Sequence, residues 1–298
     1  KSKKVPAFFW SVLRYYIPSF KKKYEKLHKR ATVYSCFLHM CFLWVIFIPN
    51  LHPFPNVVVH DALYKINIEC DIIWEESENI EKYQAIILPA MYTADEKVLT
   101  RLKDYTAQGG TLIATFKTAF ANENVKVYSD RQPHILSEVF GMYYQQFTFP
   151  EKVTLTGFEG GEPEAETFME LLIPDGAEII SAYQHPNWKK YAAVTHHTYE
   201  SGNAWYIGCM FEEKYLQQLF VRILGENGIH AAAPEQFPVI VREGINEKGE
   251  NIRFYLNYAW EEQIIKVSEK FSTVLGTADE EHREVSLGSW DVCIIKIG

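Results

Sequence analysis

Hydrophobic and polar positions follow strand and helix periods in turn from residue 56 onward. Residues 68–74 (IECDIIW) predict a strand, and residues 83–89 (YQAIILP) predict a second one, continuously apolar as buried parallel strands are. Residues 94–108 predict an amphipathic helix whose apolar positions are Val98, Leu99, Leu102, Tyr105 and Thr106. Gly109 and Gly110 end it, and residues 111–115 (TLIAT) predict a third strand. This alternation indicates right-handed crossovers and a parallel sheet.

The same patterns predict further elements around this segment. They are the end of a helix, a second helix, two strands of a hairpin and a third helix, at residues 61–67, 132–140, 192–197 with 204–208, and 212–224. Asn67 and Gly141 are predicted to end the first two helices. The third helix is predicted to pack through its apolar side, namely Leu216, Leu219, Phe220 and Ile223. Residues 151–190 are mixed and include an acidic loop, GEPEAE.

The period of the pattern changes after residues 231–234. Short strands with turns between them are predicted at residues 239–243, 253–258, 264–267, 273–275, 283–287 and 292–297. Such a series without helices is typical of a small antiparallel β-sandwich. We therefore predict a lead-in over residues 1–55, an α/β domain over 56–233 and a sandwich over 234–298.

The first 60 residues differ in character from the rest. Residues 1–30 carry a local charge of +9, residues 31–60 contain no Asp, Glu, Lys or Arg, and residues 31–298 together carry −17. The apolar run at residues 33–48 follows the basic segment, an order that resembles a membrane anchor, but the run is shorter than the roughly 20 residues of a span. A buried strand with an irregular lead-in is the alternative structural interpretation.

Composition narrows the class of protein. The chain has 298 residues, 47% of them hydrophobic and 23% charged, which excludes disorder, and its net charge of −8 makes it a poor nucleic-acid binder. Five scattered cysteines stand at positions 36, 41, 70, 209 and 293, without a CxxC pair. This odd set predicts buried thiols in a reducing, cytoplasmic compartment, with no disulfide framework, metal or cofactor.

Several ordered motifs resemble one family. Residues 85–124 contain a strand ending in Pro, a loop, a helix, GGTL and an Asn-rich loop; DRQPHILSEVFGM at 130–142 and SGNAWYIG at 201–208 follow. This order resembles the trimerisation domain of glycoside hydrolase family 42 β-galactosidases. NIRFYLNYAWEEQIIKV at 251–267 and SLGSWDVCIIKI at 286–297 resemble that family's C-terminal sandwich.

The resemblance implies a fold and a function. The implied fold is a flavodoxin-like (class I glutamine amidotransferase-like) parallel sheet with helices that assembles three protomers, followed by a small antiparallel β-sandwich. In the family, an N-terminal TIM barrel carries both catalytic glutamates. A barrel needs roughly 250 residues, whereas 55 precede the match. Neither glutamate can therefore be assigned, and we expect no catalytic, cofactor-binding or metal-binding residue.

The expected partners follow from the same resemblance. They are two further copies of the chain in a homotrimer and the missing catalytic barrel. Terminal non-reducing β-D-galactosides are reached only through the parent enzyme, and nucleic acid and membrane are not expected as partners. Residues 1–55 match neither the end of the barrel nor the first strand of the trimerisation domain. A segment partly translated out of frame is therefore a third interpretation of this lead-in.

Two sets of residues could carry catalysis and are weighed against structural roles. Asn122 and Glu123 form an Asn-Glu pair like that of retaining glycosidases, but they follow the third strand, where a polar loop is expected. Cys209 lies between a strand and a helix, with His196 and His197 on the partner strand of the hairpin. The related amidotransferase fold places its nucleophile after the strand equivalent to residues 111–115, where this chain has Phe116 and Lys117. A structural role is therefore expected for both sets.

Other residues could contact ligands. Gly109 and Gly110 end a helix and precede a strand, the wrong order for a phosphate loop at a helix N-terminus. Five aromatic residues could stack on a sugar, but core or interface roles are commoner for them: Trp188, Tyr191, Trp205, Trp260 and Trp290. The loop at residues 116–124 is the better candidate to face a neighbouring barrel, because it follows the carboxyl end of a parallel strand.

Three functions from different classes remain open at this point. The first is the non-catalytic assembly portion of a β-galactosidase, which the resemblance favours. The second is a stand-alone enzyme on an amidotransferase-like sheet, which Cys209 would serve as nucleophile. The third is a membrane-anchored binding module, for which the apolar run at residues 33–48 would be the anchor.

Overall fold

The computed structural model describes residues 31–34, 55–75, 77–234 and 237–298, with the backbone alone at 31–34, 55–57 and 167. The described residues form two compact units. The larger unit combines the residues before 63 with residues 70–229, and the smaller unit combines residues 63–69 with 230–298.

Helices are few among the described residues. They are α1 Pro55–Lys65, α2 Glu96–Ala107, α3 Leu136–Val139 and α4 Glu213–Glu226, with a 3-10 turn at Ile80–Lys82. The strands of the larger unit are β1 Ala31–Tyr34, β2 Cys70–Ile73, β3 Ala85–Leu88, β4 Thr111–Thr115, β5 Met142–Tyr143, β6 Phe147–Thr148, β7 Thr154–Leu155, β8 Ala165–Glu170, β9 Ile173–Pro174, β10 Glu178–Gln184, β11 Ala192–Tyr199, β12 Gly202–Ile207 and β13 Cys209–Phe211. The strands of the smaller unit are β14 Val239–Ile245, β15 Asn251–Asn257, β16 Gln263–Lys266, β17 Phe271–Leu275, β18 Thr277–Asp279, β19 Glu284–Leu287 and β20 Val292–Ile297.

The main sheet of the larger unit has eight strands in the order β2-β1-β3-β4-β12-β11-β10-β7. The first five are parallel to one another, and the last three extend the sheet in antiparallel fashion. The predicted parallel sheet is therefore confirmed for one part of the sheet, while its antiparallel extension was not foreseen beyond the hairpin of β11 and β12. In that hairpin both strands extend further towards the turn than expected, and Tyr199 pairs with Gly202.

The helix predicted at residues 94–108 shows why the pattern was informative. In α2 the five positions expected to face the core are the five that are buried. Asp95 begins the helix, and its carboxylate accepts a hydrogen bond from the Val98 N–H at 2.7 Å. This bond satisfies one of the donors that a helix leaves free in its first turn. Both β3 and β4 beside it are buried at every position, as expected of parallel strands covered on two faces.

The helix predicted at residues 132–140 is wrong in extent. Only Leu136–Val139 is helical, because His134 adopts a left-handed conformation with φ 52°, which a right-handed helix does not include. The mixed segment at residues 151–190 also contains regular secondary structure that its pattern does not predict. It contributes β7 to β10, and β8 lies between β13 and β6 in a second sheet of three strands.

The smaller unit is a β-sandwich, as predicted, with one strand more than expected. Strands β14, β15, β20 and β17 form one sheet, and β16, β19 and β18 form the other. Side chains alternate between two clusters along β15, because successive residues of a strand point to opposite faces. Tyr255 packs between the sheets with Val241 and Ile295, whereas Phe254 packs on the opposite face. The short strand β18 carries too little apolar pattern to be recognised from sequence.

The apolar run at residues 33–48 lies outside the described residues except for its first two positions. These belong to β1, whose backbone pairs in parallel with both β2 and β3. The three interpretations of the lead-in over residues 1–55 therefore stay predictions.

Candidate functional site

A fully buried carboxylate lies at the carboxyl end of the parallel strands. Glu170 has none of its surface exposed to solvent. Its Oε1 accepts a hydrogen bond of 2.8 Å from the Lys117 backbone N–H, and its Oε2 accepts one of 2.8 Å from the Tyr206 hydroxyl. Burial raises the pKa of Glu170 to about 7, because low-dielectric surroundings disfavour the charged form. The two donors offset only part of this penalty.

Three strands bring these groups together. Lys117 follows β4, Tyr206 lies in β12 beside β4, and Glu170 ends β8. The chain continues from β12 through Gly208 into β13, and the Gly208 carbonyl accepts a 2.8 Å hydrogen bond from the Glu170 N–H. The carboxylate is thereby fixed beneath the turn that leaves β4.

The turn after β4 has an uncommon backbone. Lys117 has φ 65°, in the left-handed region that residues other than glycine seldom adopt. The Thr118 hydroxyl donates to the Thr115 carbonyl at 2.8 Å, and the Ala119 N–H donates to the Met91 carbonyl at 2.8 Å. Together with the bond to Glu170, these contacts fix the backbone turn at the carboxyl end of β4.

The Lys117 side chain is enclosed by aromatic rings. Its Nζ lies 3.5 Å from the ring centroid of Phe147, 3.8 Å from that of Phe120 and 4.4 Å from that of Phe168. Lys117 is 9% exposed, and within the part of the chain that the structure describes no oxygen accepts a hydrogen bond from Nζ. Burial lowers the pKa of Lys117 to about 8, against the opposing effect of the Glu170 charge.

This arrangement is suited to positioning. The Glu170 carboxyl is sealed from solvent, so it does not meet a substrate in this conformation. The Glu170 carboxyl instead fixes the Lys117 turn, and with it the start of the loop at residues 116–124, which the sequence made a candidate to face a neighbouring barrel. Among the rings around Lys117, Phe147 reaches the surface and is 47% exposed, and Phe149, which packs edge-on against Phe168 at 5.9 Å, is 68% exposed.

The Asn122–Glu123 pair has a loop role. The Asn122 side-chain oxygen accepts hydrogen bonds from the backbone N–H groups of Asn124 and Lys126, both at 3.0 Å. Glu123 is exposed and accepts a 2.7 Å hydrogen bond from the Asn124 side chain. Asn122 therefore closes a polar turn, in accord with the expected structural role.

Cys209 and the two histidines are not brought together as a nucleophile and base. Cys209 lies within β13 and is fully buried, and burial raises the pKa of its thiol to about 12. His196 pairs with Trp205 across the hairpin. Trp205 lies four residues before Cys209, which is about 13 Å along an extended chain.

Each histidine has a structural partner of its own. The His196 ring stacks on Trp205 with centroids 4.3 Å apart, and its Nε2 lies 3.1 Å from the Asn203 side-chain oxygen. The His197 Nδ1 lies 2.9 Å from the Val139 carbonyl. His196 therefore links the two strands of the hairpin, and His197 ties the hairpin to the end of α3.

Gly109 and Gly110 form the expected helix end. Gly109 has φ 106°, and a Cβ at Gly110 would overlap the Tyr105 ring. The need for glycine thus comes from backbone conformation and close packing.

The five aromatic candidates are divided between core and surface. Trp205 is buried, Trp260 is 43% exposed, and Trp188, Tyr191 and Trp290 are half-buried. Trp188 packs against Tyr191, and Trp260 packs edge-on against Trp290 at 6.0 Å. They lie in three separate places in the fold, so they do not form one sugar platform.

Metal-ligand clusters and membrane-spanning helices are the two remaining kinds of site. In residues 55–75, 77–234 and 237–298, no group of three or more His, Cys, Asp and Glu side chains is placed to hold a metal ion. Among the helices that the structure describes, none combines the length and the apolar composition needed to cross a bilayer.

Sequence reasoning missed Glu170 and undervalued Lys117. Along β8, Glu170 alternates with Met169 and shares its parity with the exposed Glu166, so a two-residue period would place it outside. The available signal was Lys117 itself, a charged residue between Phe116 and a second apolar stretch directly after a buried strand.

Comparison with known proteins identifies a family. The family model for the beta-galactosidase trimerisation domain matches residues 58–230. Beta-galactosidase LacA of Lactobacillus acidophilus is 25% identical over 235 residues, which cover 78% of this chain and 35% of LacA. Beta-galactosidase BgaA of Clostridium cellulovorans is 30% identical over 203 residues, which cover 66% of this chain and 30% of BgaA. The chain thus spans about a third of the length of these relatives.

Solved structures agree with the fold. The beta-galactosidase from Bacillus circulans sp. alkalophilus superimposes with a TM-score of 0.78 at 21% identity, over 90% of this chain and 41% of that chain. A catalytic mutant of Gan42B, a GH42 beta-galactosidase from G. stearothermophilus, gives a TM-score of 0.77 at 19% identity, over 91% and 40%. The shared fold extends beyond the residues that the family model matches.

Proposed function

Because the chain belongs to the β-galactosidase trimerisation domain family of glycoside hydrolase family 42, we propose that it is the assembly portion of such an enzyme and holds three copies together. The observation that carries this proposal is the match over residues 58–230, more than half of the chain. The motifs at residues 85–124, 130–142 and 201–208 that carried the resemblance all lie inside this span.

The strand order supports a finer description of the fold. Read along the chain, the parallel strands β1, β2, β3, β4 and β12 stand in the spatial order 2-1-3-4-5, which is the flavodoxin-like order. We propose that residues 56–233, joined by β1 at residues 31–34, are a flavodoxin-like trimerisation domain with an antiparallel extension, and that residues 234–298 are a separate sandwich domain. The rest of residues 1–55 is left as an unmatched lead-in.

The proposed partners are two further copies of the chain and a catalytic barrel. Terminal β-galactosides would be hydrolysed by the parent enzyme, with retention, through two carboxylates on that barrel. We assign no such role to Glu170, because its carboxyl is buried and engaged by the Lys117 N–H and the Tyr206 hydroxyl. The buried thiols of Cys209 and Cys293 support a reducing compartment such as the cytoplasm.

The two other functions receive no support from the described residues. An amidotransferase-like enzyme needs an accessible thiolate, whereas burial raises the pKa of the Cys209 thiol to about 12. The anchor of a membrane-bound module would be the run at residues 33–48, which the structure describes only at its first two residues. The amidotransferase-like function is therefore not carried forward, whereas the membrane anchor stays a prediction.

Light scattering of the purified chain tests the proposal. We expect a trimer, or a monomer–trimer equilibrium, in the tens of micromolar range. Added salt is expected to favour the trimer, because residues 31–298 carry a net charge of −17 and copies repel one another at low salt. A strictly monomeric chain with no salt dependence would remove the assembly function.

A further inference from the structure

The larger unit exposes aromatic rings at the carboxyl end of its parallel strands. Phe120, Phe147, Phe149 and Phe168, together with Lys117, are called the aromatic patch below. Phe168 joins the rings, because its centroid lies 4.8 Å from that of Phe147 and 5.9 Å from that of Phe149. Phe120 meets Phe147 edge-on at 6.1 Å.

Exposure on this scale is costly unless something covers the patch. Phe149 is 68% exposed and Phe147 is 47% exposed. Val125 and Val127, on the loop that continues from Phe120, are 49% and 46% exposed. Aromatic side chains clustered at the surface are the groups that carry most of the binding energy where proteins associate.

Lys117 indicates the chemistry of the missing partner. Its ammonium group is held among phenyl rings, and no oxygen within the described residues accepts its hydrogen bonds. An ammonium held beside apolar rings without a protein acceptor gains most from an ionised acceptor, since charge-assisted hydrogen bonds are the stronger ones. The backbone turn that places it is pinned by Glu170, so its direction is fixed before any partner arrives.

A second copy of the chain supplies such acceptors. Residues 31–298 carry 37 acidic and 20 basic side chains, so the surface that one copy offers another is rich in carboxylates. A closed ring of three copies also uses two different surfaces on each chain, and the patch can therefore meet an acidic surface rather than itself. Charge complementarity thus favours a copy of this chain over a basic or neutral partner.

We propose that the aromatic patch is the surface through which one copy docks on the next, with Lys117 donating to a carboxylate of that copy. The inference rests on the proposed assembly function and names the surface that performs it. Glu170 acts as a positioning residue, because it holds the turn that aims Lys117.

Sedimentation equilibrium of the full chain tests this surface. The double substitution Phe147→Ala with Phe149→Ala is expected to weaken association at least tenfold. Phe149→Ala alone, at the more exposed ring, is expected to weaken it severalfold without loss of the folded state, checked by circular dichroism. The matched control is Val221→Ala, since Val221 is 50% exposed on α4 of the same unit, and it is expected to associate as the wild type does.

A second pair of variants tests the donor. Lys117→Met keeps the length of the side chain among the rings but removes its donors, and we expect it to weaken association at least tenfold. Lys126→Met removes an exposed lysine from the same loop and is expected to change little.

The outcomes separate this inference from the function on which it rests. A wild-type trimer that both patch variants leave intact would overturn the docking surface while the assembly function stands. Weak association in the phenylalanine variants with an unaffected Lys117→Met would overturn the role of the donor. A monomeric wild type would contradict both the assembly function and the surface.

Discussion

Glu170 and Lys117 place two ionisable groups under a single turn of the backbone. The carboxylate accepts a hydrogen bond from the Lys117 N–H, while the lysine side chain lies among phenyl rings. Burial moves the two pKa values in opposite directions, upward for Glu170 and downward for Lys117. Each group is thus held where its charged form is disfavoured. This arrangement lowers the stability of the fold but keeps the geometry of the surface turn fixed.

Replacing the carboxyl by an amide is expected to change how stability depends on pH. Burial raises the pKa of Glu170 from its ordinary value of 4.5 to about 7, so the folded chain holds this proton more tightly than the unfolded chain. The stability that this provides is complete below pH 4.5 and is lost as the pH rises towards 7. Glu170→Gln does not titrate, so its stability relative to wild type should rise across this window, by about 3 kcal/mol at most.

Urea unfolding at several pH values between 4.5 and 7 measures this difference. The lowered pKa of Lys117 affects stability only at higher pH, where its contribution is lost as the pH falls from 10.5 towards 8. Glu123→Gln, at an exposed carboxylate of the neighbouring loop, is the control and should follow wild type. Parallel curves for Glu170→Gln and wild type would show that Glu170 is not held as described.

At the scale of single residues, the sequence predicted which apolar side chains are buried better than it predicted which polar ones are. The five apolar positions of α2 could be predicted because a helix repeats its buried side every 3.6 residues. Glu170 could not, because its burial depends on donors from residues 117 and 206, which lie 53 and 36 positions away. A contact of this kind leaves no local period in the sequence.

Among the elements, α2 and the strands on both sides of it are the part of the fold that the local sequence predicts best. The helix has an N-cap, five core positions and a glycine end, and β3 and β4 are apolar throughout. The helix predicted at residues 132–140 lacked this agreement between signals, since Gln132 at its start is not one of the preferred N-cap residues. Residues 151–190 form strands whose partners are distant in sequence, so the order there followed from tertiary pairing.

The N-cap of α2 offers a test at this scale. Asp95→Ala removes the carboxylate that accepts the Val98 N–H at 2.7 Å, and we expect it to lower the free energy of unfolding by about 1 kcal/mol. Asp104→Ala, at an exposed position inside the same helix, is the matched control and should cost less than about 0.5 kcal/mol. Equal midpoints of urea unfolding for the two variants would contradict the capping role.

At the scale of the whole molecule, the ordered set of motifs predicted more than any single residue did. The order of strand, helix, GGTL and the later motifs led to the family, and the family model confirms it over residues 58–230. The residues weighed one at a time for catalysis, for which structural roles were expected, lie in a loop (Asn122 and Glu123), in the hairpin (His196 and His197) and in β13 (Cys209). Their spacing resembled active sites, but the fold separates Cys209 from His196 and encloses it.

The activity of the chain is a separate test. We expect the purified chain not to hydrolyse a chromogenic β-galactoside above the buffer rate, because two positioned carboxylates supply nearly all of that catalysis. Turnover that disappears in Glu123→Gln would contradict the assembly function and restore the Asn-Glu pair as a candidate. Release of ammonia from glutamine that disappears in Cys209→Ala would favour an amidotransferase-like enzyme.

The number of chains in one particle tests the assembly function most directly, and native mass spectrometry counts it. In a closed ring of three copies the heterologous interface is satisfied on every chain only when the ring is complete, so the dimer is not a favoured end point. We therefore predict two species, the single chain and the trimer, with the trimer fraction rising as the chain concentration and the salt concentration of the parent solution increase. A chain found only as monomers at every concentration, or as dimers and tetramers without trimers, would contradict it.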